Sequence, residues 1–256
     1  MREPLLQVTS LVKRFEGVLA TDDLTLNIAV GELHAVIGPN GAGKTTLIGQ
    51  IGGQITPDSG SIHLAGRDIT TLPVYRRSGL GLARTFQIVS LFQDLSVLDN
   101  VALAVQARAG HSFRFWRDAR IEPKLRQPAR AVLARVGLDQ RGNSPVSALS
   151  HGERRLLELA IALASQPRML LLDEPMAGLG PDESRRMTEM LRTLKRHLTI
   201  LLVEHDMEAV FALADRVTVL VYGRAIASDV PNSIRNNEEV REAYLGQDDN
   251  RETASS

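Results

Sequence analysis

The sequence predicts an α/β fold: a parallel sheet, an antiparallel sheet beside it, and a block of helices inserted between two halves of the core. Three observations point there. Short apolar runs at 32–38, 169–174 and 199–206 alternate with segments of helical periodicity, as buried strands and their crossover helices do. The first of these runs passes through a glycine-rich turn straight into a helical pattern. The N-terminal stretches "LLQVTSLVKRF", "LTLNI" and "GSIHLAG" are short, strand-like and separated by turn residues, which suits an antiparallel sheet.

Taken in order, "ELHAVIG" reads as a buried strand ending at Gly38, and "TTLIGQI" as a helix that stops near Gly52 and Gly53. From about 91 to 164 the pattern is mostly helical; there Pro128 is expected to open a helix, "PARAVLARVG", that closes at Gly137. In "SALSHGERRLLELA", Ser150 and Glu153 fit the S-x-x-E capping box of a helix start. "MLLLDE" and "TILLVEHD" are strands. Between them lies a helix with Pro181 at its first position, Asp182 and Glu183 in its first turn, and Lys195, Arg196 and His197 in its last. Met187, Met190, Leu191, Leu194 and Leu198 recur along it at helical spacing and form its apolar face. The expected organisation is one domain over 1–245 and a polar, fraying tail over 246–256.

Composition excludes several classes. The chain has 30 Lys+Arg against 30 Asp+Glu, so a broad electrostatic grip on nucleic acid or anionic lipid is not supported. The absence of cysteine removes disulfides, thiolate catalysis and cysteine-bound metal centres. The apolar runs are strand-sized, too short to cross a bilayer, and the N-terminal "MREPLLQVTS" lacks the apolar core of a secretion signal.

The chemistry is concentrated in a few places. Gly38-Pro39-Asn40-Gly41-Ala42-Gly43-Lys44-Thr45 matches G-x-x-x-x-G-K-[ST], between a strand and a helix as that motif requires. Gly41 and Gly43 let backbone N–H groups approach a phosphate, Lys44 supplies a positive charge, the Thr45 hydroxyl suits Mg²⁺, and the helix start favours the same anion. "LLLDEP" ends a strand in two carboxylates. On an extended chain they face opposite ways, which lets Asp173 serve the metal and Glu174 polarise a water. Gln87 and His205 stand at the ends of the strand-like "LARTFQ" and "LLVEH", where an amide links metal-bound water to phosphate and an imidazole reaches the γ-phosphate or the water. Ser150, Gly152 and Glu153 form a second helix start, and so a second place for an anion.

"GPNGAGKTT", "TFQ", "LSHGE", "LLLDEP" and "EH", in this order, resemble the ATP-binding subunit of ABC transporters over nearly the whole chain. The resemblance implies a P-loop NTPase with a RecA-like parallel core, an N-terminal antiparallel β subdomain and an inserted α-helical subdomain. It implies ATP and Mg²⁺, and two cassettes facing head to tail, so that the phosphate loop of one and the Ser150 helix of the other hold one nucleotide. It extends the nucleotide contacts through Thr46, assigns Thr45, Gln87 and Asp173 to the metal, Glu174, His205 and Lys44 to catalysis, and Phe15 to stacking on adenine. The chain departs from the usual L-S-G-G-Q at His151 and Glu153. Gly180, in the crossing loop "AGLGP", stands where many members carry Asp or Asn.

"GLARTFQ", "LFQDLSVLDNV", "LLVEHDM" and "VREAYLG" resemble most the subunits that power import of branched-chain and hydrophobic amino acids. That implies a bacterial protein on the cytoplasmic face of the membrane, working with membrane-spanning permease subunits, a second ATP-binding subunit and, indirectly, an external solute-binding protein, with no nucleic-acid partner. The run "HSFRFWR" at 111–117 is a candidate contact with the permease. Urea import, lipopolysaccharide export, a soluble ATPase acting on DNA or ribosomes, and a nucleotide-binding module that never hydrolyses are the competing readings. The single cassette without a long heptad run speaks against the soluble class, and Glu174 with His205 against the inert one.

Overall fold

The computed structural model describes residues 4–85, 91–109 and 122–245. Gln87, the 111–117 run and the 246–256 tail therefore lie outside the described residues. The described chain forms two sheets. In the first, β1 (Pro4–Phe15) pairs antiparallel with β2 (Val18–Ala29) and β4 (Ser59–Leu64), and β4 pairs with the two-residue β5 (Arg67–Asp68). The second carries β3 (Leu33–Ile37), β6 (Leu82–Thr85), β7 (Met169–Asp173), β8 (Thr199–Val203), β9 (Arg216–Val221) and β10 (Arg224–Asp229) in the order β10-β9-β3-β8-β7-β6. Its pairs are parallel except β9 with β10.

The apolar strands are explained by a core on each side of this sheet. Leu170, Leu172, Ile200 and Leu202 enter one hydrophobic cluster, while Met169, Leu171, Leu201 and Val203 alternate into another. The second cluster lies between the sheets and contains Leu47, Ile48 and Ile51 of α1 (Lys44–Gly52). The first is filled by α3 (Val97–Ala109), α4 (Pro123–Arg135), α5 (His151–Ala164) and α6 (Pro181–Leu194). The other α-helices among the described residues are α2 (Val74–Gly79), α7 (Met207–Leu213), α8 (Pro231–Arg235) and α9 (Glu238–Leu245).

The helix that begins at the phosphate loop is fixed at its far end by a residue that periodicity does not reveal. Arg77 of α2 is 2% exposed, and its guanidinium donates to Gln50 O and Ile51 O at 2.7 Å, to Leu72 O at 2.7 Å and to Thr70 O at 2.9 Å. A buried cation thereby adds to the capping of the α1 C-terminus, where Gly53 N also donates to Gln50 O at 3.2 Å.

Three expectations are corrected. Pro128 does not open its helix; α4 begins at Pro123, already suited to a first position, and Pro128 lies inside it while Leu125, Ala129 and Leu133 bury one face. Helix α6 stops at Leu194, where Lys195 turns away to bind Leu213 O and Asp215 Oδ1, each at 2.8 Å. β8 stops at Val203, so His205 lies beyond the strand rather than at its end.

Candidate nucleotide site

The loop between β3 and α1 is shaped by glycines that no other residue could replace cheaply. At Gly38 (φ +151°) a Cβ would lie 2.1 Å from Leu220 O, and at Gly43 (φ +100°) it would lie 2.2 Å from Ala20 O. The same close approach ties the loop down: Gly223 N, in the β9–β10 turn, donates to Ala42 O at 3.0 Å, and Asp22 N of β2 donates to Gly223 O at 2.9 Å. Ala42 is buried, whereas Asn40, Gly41 and Thr45 are exposed and Thr46 half-buried at the start of α1. The Lys44 ammonium is buried and donates to Gly38 O at 2.6 Å and Pro39 O at 2.9 Å. Burial pulls its pKa below the usual lysine value, against the opposing pull of Glu174 and Asp173, which places both carboxylates within electrostatic reach of the loop.

Asp173 closes β7. Its Oδ2 accepts from Arg84 Nη2 at 3.0 Å, and the Arg84 Nη1 binds Gln54 Oε1 at 2.9 Å. Burial raises the Asp173 pKa above the usual carboxylate value, with Arg84 pulling the other way; Arg84 is itself held low by burial. The two carboxylates are not separated by strand alternation as expected, because β7 ends at Asp173 and Glu174 turns into the left-handed region at φ +50°. That turn leaves the Glu174 side chain 43% exposed, with Oε1 3.9 Å from His205 Nδ1.

The start of α5, expected as a second anion site, is separate from this loop. Ser150 caps α5 as a full capping box: Glu153 N donates to Ser150 Oγ at 3.1 Å, and Ser150 N donates to Glu153 Oε2 at 2.9 Å. Burial opposes ionisation of Glu153, but Arg141 and the Ser150 N–H hold its pKa below the usual value. Glu183 of α6 lies across this helix start: a Cβ on Gly152 would meet its Oε1 at 2.4 Å, and Ser150 Oγ is 3.5 Å from the same oxygen. Among the described residues, no hydrogen bond or ion pair joins Ser150 or Gly152 to the phosphate loop, Asp173, Glu174 or His205. Phe15 ends β1 44% exposed, with the Lys13 ammonium 5.4 Å from its ring centroid. Its register partner Val18 is two residues from Ala20, whose carbonyl abuts Gly43. Phe15 is thus close along the β1–β2 hairpin to the segment that abuts the loop.

Residues 21–177 match the family described as "ABC transporter", and residues 226–250 match the "Branched-chain amino acid ATP-binding cassette transporter" family. The chain belongs to the ABC transporter family. It is an ATP-hydrolysing cassette of that family. The high-affinity branched-chain amino acid transport ATP-binding protein LivG of Salmonella typhimurium is 38% identical over 259 residues, covering 96% of this chain and 100% of that protein. BraF of Pseudomonas aeruginosa, named for the same transport, is 35% identical over 254 residues, again covering 96% and 100%. Among solved structures, the ADP conformation of the cassette MJ1267 superposes with a TM-score of 0.85 at 27% identity, over 95% of this chain and 99% of that one. A nucleotide-free ATP-binding cassette gives 0.83 at 27% identity over 94% and 99%.

Proposed function

We propose that the cassette hydrolyses ATP across a seam between two copies, or between this subunit and a homologue, and so drives import of branched-chain or hydrophobic amino acids. Permease subunits attach it to the cytoplasmic face of a bacterial membrane, and selection of the solute rests with them and with an external binding protein. Among the described residues no helix is long and apolar enough to cross a membrane, which agrees with attachment through partners.

The observation that carries this reading is the pairing of Glu174 with His205 at 3.9 Å beside a complete phosphate loop, while the Ser150 helix start stands apart from both. Lys44 and the loop amides bind the outer phosphates, and Phe15 stacks on the base. Glu174 takes a proton from the attacking water, and His205 hydrogen-bonds the γ-phosphate or that water. Thr45, Asp173 and, from outside the described residues, Gln87 would hold Mg²⁺. Among the described residues no group of three His, Asp or Glu side chains is arranged to hold a metal ion; the Thr45 hydroxyl and the Asp173 carboxylate are hard oxygen donors of the kind that suits Mg²⁺, completed by phosphate and water. Held there, Mg²⁺ would supply positive charge against the phosphate oxygens. The Ser150 hydroxyl and the Gly152 N–H of the facing copy close over the γ-phosphate.

The test is reconstitution with the permease subunits and binding protein in vesicles. Wild type should take up leucine on addition of ATP. Glu174→Gln should still bind ATP but lose at least about a hundredfold in hydrolysis, the scale of a missing general base, and lose uptake with it. Hydrolysis at the wild-type rate by that variant refutes the role of Glu174. Transport of urea without leucine by the wild type refutes the solute.

A further inference from the structure

Glu204 is a fully buried carboxylate, 0% exposed, at the point where β8 gives way to the loop that carries His205. Burying a carboxylate is costly unless hydrogen-bond donors replace its water. Here backbone donors do so, and they come from two different loops. Met176 N, in the loop after β7, donates to Oε1 at 2.8 Å. His205 N and Asp206 N, in the loop after β8, donate to Oε2 at 2.9 Å and 3.3 Å. The same oxygen lies 3.6 Å from His205 Nδ1. One residue earlier, Val203 O accepts from Glu174 N at 2.9 Å, so the segment from Glu174 to Met176 hangs from the end of β8 at both ends. Glu174 needs such support: it is a non-glycine residue at φ +50°, a conformation that persists only where its surroundings fix it.

We propose that Glu204 is the positioning residue of the hydrolytic site: its two carboxylate oxygens staple the Glu174 loop to the His205 loop and hold the two side chains at their working separation. The inference rests on the hydrolytic reading above and adds to it a residue that does not itself touch nucleotide.

The chemistry of the staple dictates which substitutions break it. An ionised carboxylate accepts at both oxygens. A glutamine presents an NH₂ at one of them, so it serves Met176 N or the His205 and Asp206 amides, but not both groups together. An aspartate keeps two acceptor oxygens and the charge but is one methylene shorter; it serves the adjacent amides of its own loop and no longer reaches Met176. Glu204→Gln and Glu204→Asp therefore remove the cross-loop link by different routes, and the aspartate variant retains the charge should the glutamine variant not fold.

The experiment uses the full chain. ATP affinity is measured at equilibrium and turnover at saturating ATP, with Glu174→Gln alongside. Both Glu204 variants should bind ATP within about twofold of wild type, because the phosphate loop and Phe15 are untouched. Their kcat should fall by about ten- to a hundredfold, the scale of a reacting group displaced by around an ångström. A variant that merely loosens the fold loses affinity and turnover together, and that result overturns the proposal. So does wild-type turnover in either variant. If Glu174→Gln is inactive while both Glu204 variants turn over normally, the staple alone is wrong; if Glu174→Gln is itself active, the hydrolytic assignment beneath it is wrong.

Discussion

A methyl group separates a working phosphate loop from a broken one at Gly43. Its backbone sits at φ +100° and its missing Cβ would lie 2.2 Å from Ala20 O, a backbone atom that cannot swing aside. Gly43→Ala should therefore cost at least about 2 kcal/mol of stability, from left-handed strain and from overpacking together, and should abolish nucleotide binding. Gly41 gives the internal control. It also has positive φ (+81°), but nothing lies within 4 Å of its Cβ position, so Gly41→Ala meets the strain without the clash. Denaturant midpoints of the two variants should differ clearly; equal midpoints would mean that the Ala20 contact is not what demands glycine. Such residues were legible in the sequence, because phosphate chemistry restricts both residue type and spacing. Arg84 was not: its partner Asp173 is 89 positions away, and the pair meets only because β6 and β7 are neighbours. Glu204 leaves only a weak signal in the sequence, a carboxylate directly after the strand-like run "TILLV".

At the scale of elements, the α5 start is the most informative part of the fold. Its capping box was legible, since Ser150 and Glu153 are three apart on one turn. Its relation to α6 was not, because no local pattern says that Glu183 will lie over Gly152. The expected boundaries failed where tertiary packing outweighed punctuation: α4 runs through Pro128 because its buried face continues on both sides, and β8 ends early because Glu204 gathers backbone amides instead of continuing the ladder. The position of Glu183 has a consequence for closure of the seam. On the proposed seam, a γ-phosphate from a facing copy would approach Gly152 where this carboxylate now lies, and like charges oppose one another. Glu183→Gln keeps a side chain able to complete the α6 cap and removes the charge. In a Glu174→Gln background, which on the proposed mechanism accumulates the closed pair, it should lower the ATP concentration needed for half-maximal dimer formation severalfold, consistent with roughly 1 kcal/mol for a relieved polar conflict. Light scattering during an ATP titration reads this directly. An unchanged or higher requirement would show that Glu183 moves out of the way without cost.

At the scale of the whole molecule, the separation of the two anion sites turns into a prediction about pairs of chains. Lys44 belongs to the phosphate loop and Ser150 to the α5 start, and no described hydrogen bond or ion pair links the two regions within one copy. If each nucleotide is held by the loop of one copy and the helix of the other, then a Lys44→Ala homodimer carries two sites without a working loop. A Ser150→Ala homodimer likewise carries two weakened helix contacts. Mixing the two variants changes the arithmetic. In a mixed pair, one site combines both defects and the other combines the intact loop of the Ser150→Ala copy with the intact helix of the Lys44→Ala copy. For a two-fold symmetric pair with random mixing, about half the dimers are mixed and each regains one site of two, so about a quarter of the wild-type activity should reappear if the sites act independently. The measurement is phosphate release from each variant alone and from the equimolar mixture, at a protein concentration where wild-type rate rises faster than linearly with dilution reversed. Activity of the mixture no greater than the average of the two variants would rule out independent sites shared across the seam. A mixture well above a quarter would mean instead that a single intact site drives the pair, with the two nucleotides coupled rather than independent.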